Sequence, residues 1–159
     1  MCYSARSTKE RRNTMSLYMD IRFRGIVKEQ FRDSFEPIAL EGRWKESKDL
    51  LLQQFGNNYV SEFIPIPIGA AGGAYGVTQW KSEPWEREYD KTTGEWQFMC
   101  SFNVRGHSQM LWDWEDEIIP YVMECVEHYE TWREPEGNEP YTQETLLRKF
   151  ANGEWIYGR

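Results

Sequence analysis

Between Gly106 and Trp132 the chain carries seven carboxylates, Asp113, Glu115, Asp116, Glu117, Glu124, Glu127 and Glu130, and not one Lys or Arg. Such a run can serve acid–base work, hold a metal, or present a line of negative charge to a basic partner. The metal reading needs convergent histidines. His128 lies four residues after Glu124 and His107 lies upstream, but there is no H-E-x-x-H or aspartate-cluster pattern to supply a third ligand. Cys2, Cys100 and Cys125 are odd in number and contain no C-x-x-C pair, which argues against a zinc knuckle or a disulfide framework. No Ser or Cys stands at the spacing of a nucleophile elbow or triad. Gly69-Ala-Ala-Gly-Gly-Ala-Tyr-Gly76 has the composition of a phosphate-cradling loop. No Lys-Ser/Thr follows it, however, and Val77-Thr-Gln-Trp80 does not open a helix, so close backbone packing is the simpler role. No cofactor is implied.

The 159 residues contain 19 Lys plus Arg against 26 Asp plus Glu, a net charge of −7 that disfavours a nucleic-acid backbone as direct ligand. No apolar run approaches the length of a membrane span. The charge is uneven: residues 1–14 carry +3 and the remainder −10. The opening segment has no apolar stretch of the kind found in signal peptides, and it reads as a flexible basic arm preceding a single domain over residues 15–159, with Met15 an alternative start. The cysteine usage suits a reducing, cytoplasmic setting.

The elements that must position these residues are legible from periodicity. Met19, Ile21, Phe23 and Val27 alternate with Asp20, Arg22 and Arg24, which makes Tyr18 to Val27 a strand with a bulge or close approach at Gly25. Phe31, Phe35 and Ile38 recur at helical spacing, limited by Pro37. Asp49 to Phe55 predicts a short helix with Asp49 as N-cap. Residues 59–84 predict an edge segment and a loop, since Ile64-Pro-Ile-Pro-Ile68 cannot donate a full ladder. Trp85 to Val104 predicts a β-hairpin turning at Asp90–Gly94, with Trp96, Phe98, Cys100, Phe102 and Val104 on one side. From Ser108 to Trp132 the pattern predicts a long amphipathic helix, N-capped by Ser108 and kinked at Pro120. Its buried stripe comprises Leu111, Trp114, Ile118, Val122, Cys125, Tyr129 and Trp132, all within about 40° of one another. After an acidic connector at 134–140, Thr142 caps a last helix through Phe150, ended by Asn152-Gly153. The expected fold is α+β, an antiparallel sheet with a β-hairpin, covered on one face by a long amphipathic helix and shorter helices.

On that helix Trp112 and Met123 fall outside the apolar stripe. A large exposed apolar side chain among carboxylates suits a protein interface. The expected partner surface is therefore Trp112, Asp113, Asp116, Glu117, Met123, Glu124 and Glu127. The hairpin Tyr89-Asp-Lys-Thr-Thr-Gly-Glu-Trp96, the strand Phe98-Met-Cys-Ser-Phe102 and the acidic helix start Trp112 to Glu117 together resemble the style of small acidic accessory proteins of phages and mobile elements, among them anti-CRISPR inhibitors. That resemblance implies a non-enzymatic inhibitor in the host cytoplasm. Its acidic face would occupy the basic groove of a nuclease effector, with no direct contact to nucleic acid or membrane. The alternatives are a small-ligand protein, holding a nucleotide or signal molecule between the Gly69–Gly76 loop and Trp80 or Trp85, and a metal-assisted hydrolase using His128. The Met1-Cys2 start is similar to that of the SOS-response peptidases, which expose an N-terminal thiol, but no further motif of that family follows.

Overall fold

The alternation of Ile21 and Phe23 with Asp20, Arg22 and Arg24 makes Tyr18–Val27 the strand β1 at the centre of the sheet. The computed structural model describes residues 18–59, 64–69, 85–133 and 145–157. The other strands are β2 (Glu88–Tyr89), β3 (Glu95–Asn103), β4 (Met123–Arg133), β5 (Thr145–Ala151) and β6 (Glu154–Tyr157). They form one antiparallel sheet in the order β2-β3-β1-β4-β5-β6. The helices are α1 (Glu36–Glu41), α2 (Leu50–Asn57), α3 (Val104–Asp113), a π-helical turn (Trp114–Ile118) and α4 (Ile119–Val122), with single 3₁₀ turns at Glu29–Phe31 and Trp44–Glu46.

The α+β class, the antiparallel sheet and the hairpin stand as expected. Asp90 closes the hairpin turn, accepting from the Gly94 N–H at 2.7 Å, and Gly94 takes the left-handed conformation there. Asp49 caps α2, accepting from the Leu52 N–H at 3.2 Å. Pro37 stands in the first turn of α1 rather than limiting its end, since the N–H it lacks is unpaired there in any helix. The 1–14 arm, Met15, residues 70–76, Trp80, the 134–140 connector and Thr142 lie outside the described residues.

The second half of one expected helix and the whole of another are strands. The predicted helix from Ser108 to Trp132 starts earlier, at Val104, and stops at Val122, after which Met123–Arg133 pairs along β1 as β4. Val104, expected at the end of the hairpin strand, opens α3 instead. Pro120 sits in the first turn of α4 and makes no mid-helix kink. Two one-residue bulges explain the misleading pattern. Along β1, Arg24 faces His128 but Gly25 faces Val126, and Ile26 faces Cys125 but Val27 faces Met123, so Glu127 and Glu124 are left without a partner. The bulges place the core-facing Met123, Val126 and Tyr129 three residues apart, a spacing that imitates a helix. The predicted helix ending at Phe150 is β5, joined to β6 by Asn152-Gly153. Both residues have positive φ, 55° and 79°, as a two-residue hairpin turn of the primed kind requires.

The helices and one sheet face enclose an aromatic core. Phe23 lies within 4.9–6.1 Å of the rings of Phe98, Trp96, Trp114 and Tyr129. The indole N–H of Trp44 donates to the Ile66 carbonyl at 2.8 Å, and that of Trp96 donates to the Ala39 carbonyl at 3.1 Å, so both indoles are buried without an unmade bond. Leu111, Trp114, Ile118, Val122 and Tyr129 of the expected stripe are core residues, whereas Cys125 is half-buried. Trp132 is buried on the opposite sheet face with Met99 and Trp85.

Candidate functional site

The exposed side of α3 and the π turn follows from helical spacing. Gln109, Trp112, Asp113 and Asp116 recur at i, i+3, i+4 and i+7 and so share a face. Met110, Leu111, Trp114 and Ile118 turn inward and are buried. Trp112 is 57% exposed, Asp116 and Glu117 are exposed, and Asp113 is half-buried. A Trp left this open in a chain that buries Trp44, Trp96, Trp114 and Trp132 to 1% is not explained by packing.

Helix α2 lies along the same segment and is tied to it at both ends. The Tyr59 hydroxyl donates to Asp113, which also accepts from Gln109 Nε2 at 3.0 Å, and the Tyr121 hydroxyl donates to Asp49 Oδ2 at 2.7 Å. The Tyr59 hydroxyl is pushed above its ordinary pKa by burial, then by the hydrogen bond and charge of Asp113 and the charge of Glu117. Among the described residues no Lys or Arg pairs with Asp113, Asp116 or Glu117. The result is a ridge of negative charge with aromatic surface.

The π turn that carries Asp116 and Glu117 has a local cause. The Ile119 N–H reaches back to the Trp114 carbonyl, five residues away. In that register the next donor would be residue 120, but Pro120 has no N–H. The Glu115 carbonyl accepts instead from the indole N–H of Trp155 at 3.3 Å. The Glu115 side chain turns inward, accepting from Tyr129 at 2.5 Å and from both terminal nitrogens of Arg148 at 2.8 and 3.2 Å. The turn is thereby fastened to β4, β5 and β6.

The seven-residue partner surface expected from sequence divides. Trp112, Asp113, Asp116 and Glu117 do lie together. Met123 does not join them: it is 1% exposed and packs in the core where β4 begins. Glu124 and Glu127 are exposed, but as the two bulge residues of β4 rather than on a helix face, and Glu124 lies 4.0 Å from Arg32. Glu130 is no part of a free acidic face either. Burial alone would raise its pKa, yet His128 at 2.9 Å and Arg22 at 2.7 Å outweigh that and hold it below its ordinary value. His128 bonds Glu130, two residues along the strand, and not Glu124. Among the described residues no three His, Cys, Asp or Glu side chains group as metal ligands.

Asp49, Tyr59 and Tyr121 belong to the ridge and were not expected there. Tyr59 and Asp113 are 54 residues apart and Asp49 and Tyr121 are 72 apart, so no local pattern links them. No family model, curated protein or solved structure matches this chain. What the ridge offers chemically is a group of carboxylates without a cation partner among the described residues, beside the exposed Trp112 indole.

Proposed function

We propose that the domain is a non-enzymatic protein-binding inhibitor whose ridge of Trp112, Asp113, Asp116 and Glu117 occupies the basic, nucleic-acid-facing groove of a bacterial defence nuclease. The observation that carries the reading is Trp112, more than half exposed among carboxylates that no cation of the described structure neutralises. An aromatic anchor amid charges of one sign provides both grip and register against a surface of opposite sign. A groove built for phosphates has that sign. Carboxylates spaced along a rigid helix fit it without any nucleic acid being bound.

The test is affinity capture from a bacterial lysate by the wild-type chain and by the double variant Asp116→Lys, Glu117→Lys in parallel. The expected result is a nuclease retained by the wild type, released by raised salt or by a competing polyanion, and absent from the variant. Equal capture by both chains, or a captured protein without a basic groove, would overturn the reading.

A further inference from the structure

The sheet face turned away from the core carries cations. On β1 it presents Asp20, Arg22 and Arg24, opposite Ser101, Met99 and Gln97 of β3 and Trp132, Glu130 and His128 of β4. Trp85 lies over the middle of this face, with the guanidinium carbons of Arg22 and Arg24 at 4.8 and 4.4 Å from its ring and the His128 ring at 4.9 Å. Arg22 is committed to Glu130. Arg24 is not: its Nε donates to Gln97 at 3.2 Å, and it forms no ion pair among the described residues.

Beside Trp85 the β4 bulge opens the surface. On the β5 side, Val126 faces Phe150 and Tyr129 faces Arg148, so Glu127 and His128 together stand opposite the single residue Lys149. A groove of about 460 Å³ lies there, with Arg24, Glu127, His128 and Lys149 among its walls and the half-exposed Ile156, the cross-strand partner of Lys149, as its apolar side chain. Lys149 is exposed and likewise has no carboxylate partner among the described residues. In a chain with seven more acids than bases, two cations without a carboxylate partner among the described residues on one concave surface are out of proportion. Glu127 forms the border with an adjoining groove of about 390 Å³ that Arg24 also lines.

We infer that the groove at the β4 bulge is a binding site for a small organic phosphate, its phosphoryl oxygens held by Arg24 and Lys149 beside the His128 ring, whose Nε2 is bonded to Glu130, and its body resting on Ile156. Arg supplies a planar fork of donors and Lys a point charge, the two usual means of holding phosphate, and bulges often serve to aim side chains at a site. The position is on the sheet, on the side of it away from the core that the ridge helices enclose. The inference therefore stands or falls independently of the ridge.

Calorimetric titration of the full chain with inorganic phosphate, pyrophosphate and adenosine 5′-monophosphate, alongside NMR of the His128 ring, tests it. Expected is saturable binding of at least one probe with the His128 resonances moving as it binds. Lys149→Met and Arg24→Met should each weaken that binding at least tenfold, and the ridge variant Asp116→Lys, Glu117→Lys should bind as the wild type does. Lys149 is exposed and has no carboxylate partner among the described residues, so its replacement leaves the fold intact and keeps the test valid even if Arg24→Met unfolds. Absence of binding by all three probes at millimolar concentration, or unchanged binding by Lys149→Met, would overturn the inference. Tighter binding of the nucleotide than of inorganic phosphate would show that Ile156 contributes, and equal affinity would overturn that part of it.

Discussion

Arg148 donates two hydrogen bonds to the Glu115 carboxylate across the interface of β5 and the π turn, with both side chains at most 14% exposed. Its guanidinium carbon also lies 4.7 Å from the Tyr129 ring and 5.1 Å from that of Trp155. Burial alone would lower the pKa of Arg148, but the Glu115 hydrogen bonds and charge raise it, so the guanidinium remains charged. Removing one member leaves the other buried and uncompensated. Arg148→Met is expected to cost about 3 kcal/mol of unfolding free energy in urea melts. The double variant Arg148→Met, Glu115→Gln should recover part of that loss, and an additive double variant would mean that the two groups are not coupled.

Asp20 is 1% exposed, is bonded to Ser101, and its Oδ2 meets no donor. Burial raises its pKa from 3.8 to about 6, and the Ser101 hydrogen bond offsets only part of that. The folded state thus holds the proton more tightly than the unfolded chain. This contribution to stability is fully present below about pH 4 and is lost as pH rises through about 6. The loss amounts to about 3 kcal/mol at most. Asp20→Asn should therefore be more stable than the wild type at pH 7.5 and lose the advantage near pH 4. Parallel urea melts at the two pH values measure it, and a pH-independent difference would contradict the assignment.

Trp112→Ala should change unfolding free energy by less than about 0.5 kcal/mol, because the side chain is mostly in water, yet weaken capture of the partner by more than about 1 kcal/mol. The two assays are expected to disagree. A stability loss of the size seen for core truncations would make Trp112 a packing residue.

Phe102 is buried to 4% in the face that β3 turns to the core. Phe102→Ala is expected to cost about 3–5 kcal/mol, while Val122→Ala, a smaller loss of volume at a site 1% exposed, should cost about 1–3 kcal/mol. Circular dichroism during thermal melts checks both.

Gly25 sits where β1 meets the first β4 bulge, and a β-carbon there would lie 2.8 Å from the Cys125 carbonyl and from the Met123 side chain. Gly25→Ala should destabilise by about 1–3 kcal/mol through overpacking, since the carbonyl cannot move without loosening the ladder. A neutral result would mean that the bulge relaxes freely.

β1 and the hairpin were legible because their side chains alternate without interruption and Asp90–Gly94 carries its own turn chemistry. Asp49 announced α2 in the same local way, and the charge asymmetry of residues 106–132 pointed to Trp112, Asp113, Asp116 and Glu117. β4 was hidden because Glu124 and Glu127 bulge out of it, converting a period of two into steps of three, and only the second edge of β1 selects the strand. Asn152-Gly153 has the same composition whether it ends a helix or turns a hairpin, and pairing with β4 chose the hairpin. Pairing of β4 with β1 placed Met123 in the core, and pairing alone brought Arg24, His128 and Lys149 around one groove. Composition and local periodicity determined the charge, the α+β class and the ridge helix. Long-range pairing decided which acids remain free and which are neutralised, because Glu115 and Glu130 find their arginines only when strands 33 and 108 residues away in the chain come alongside.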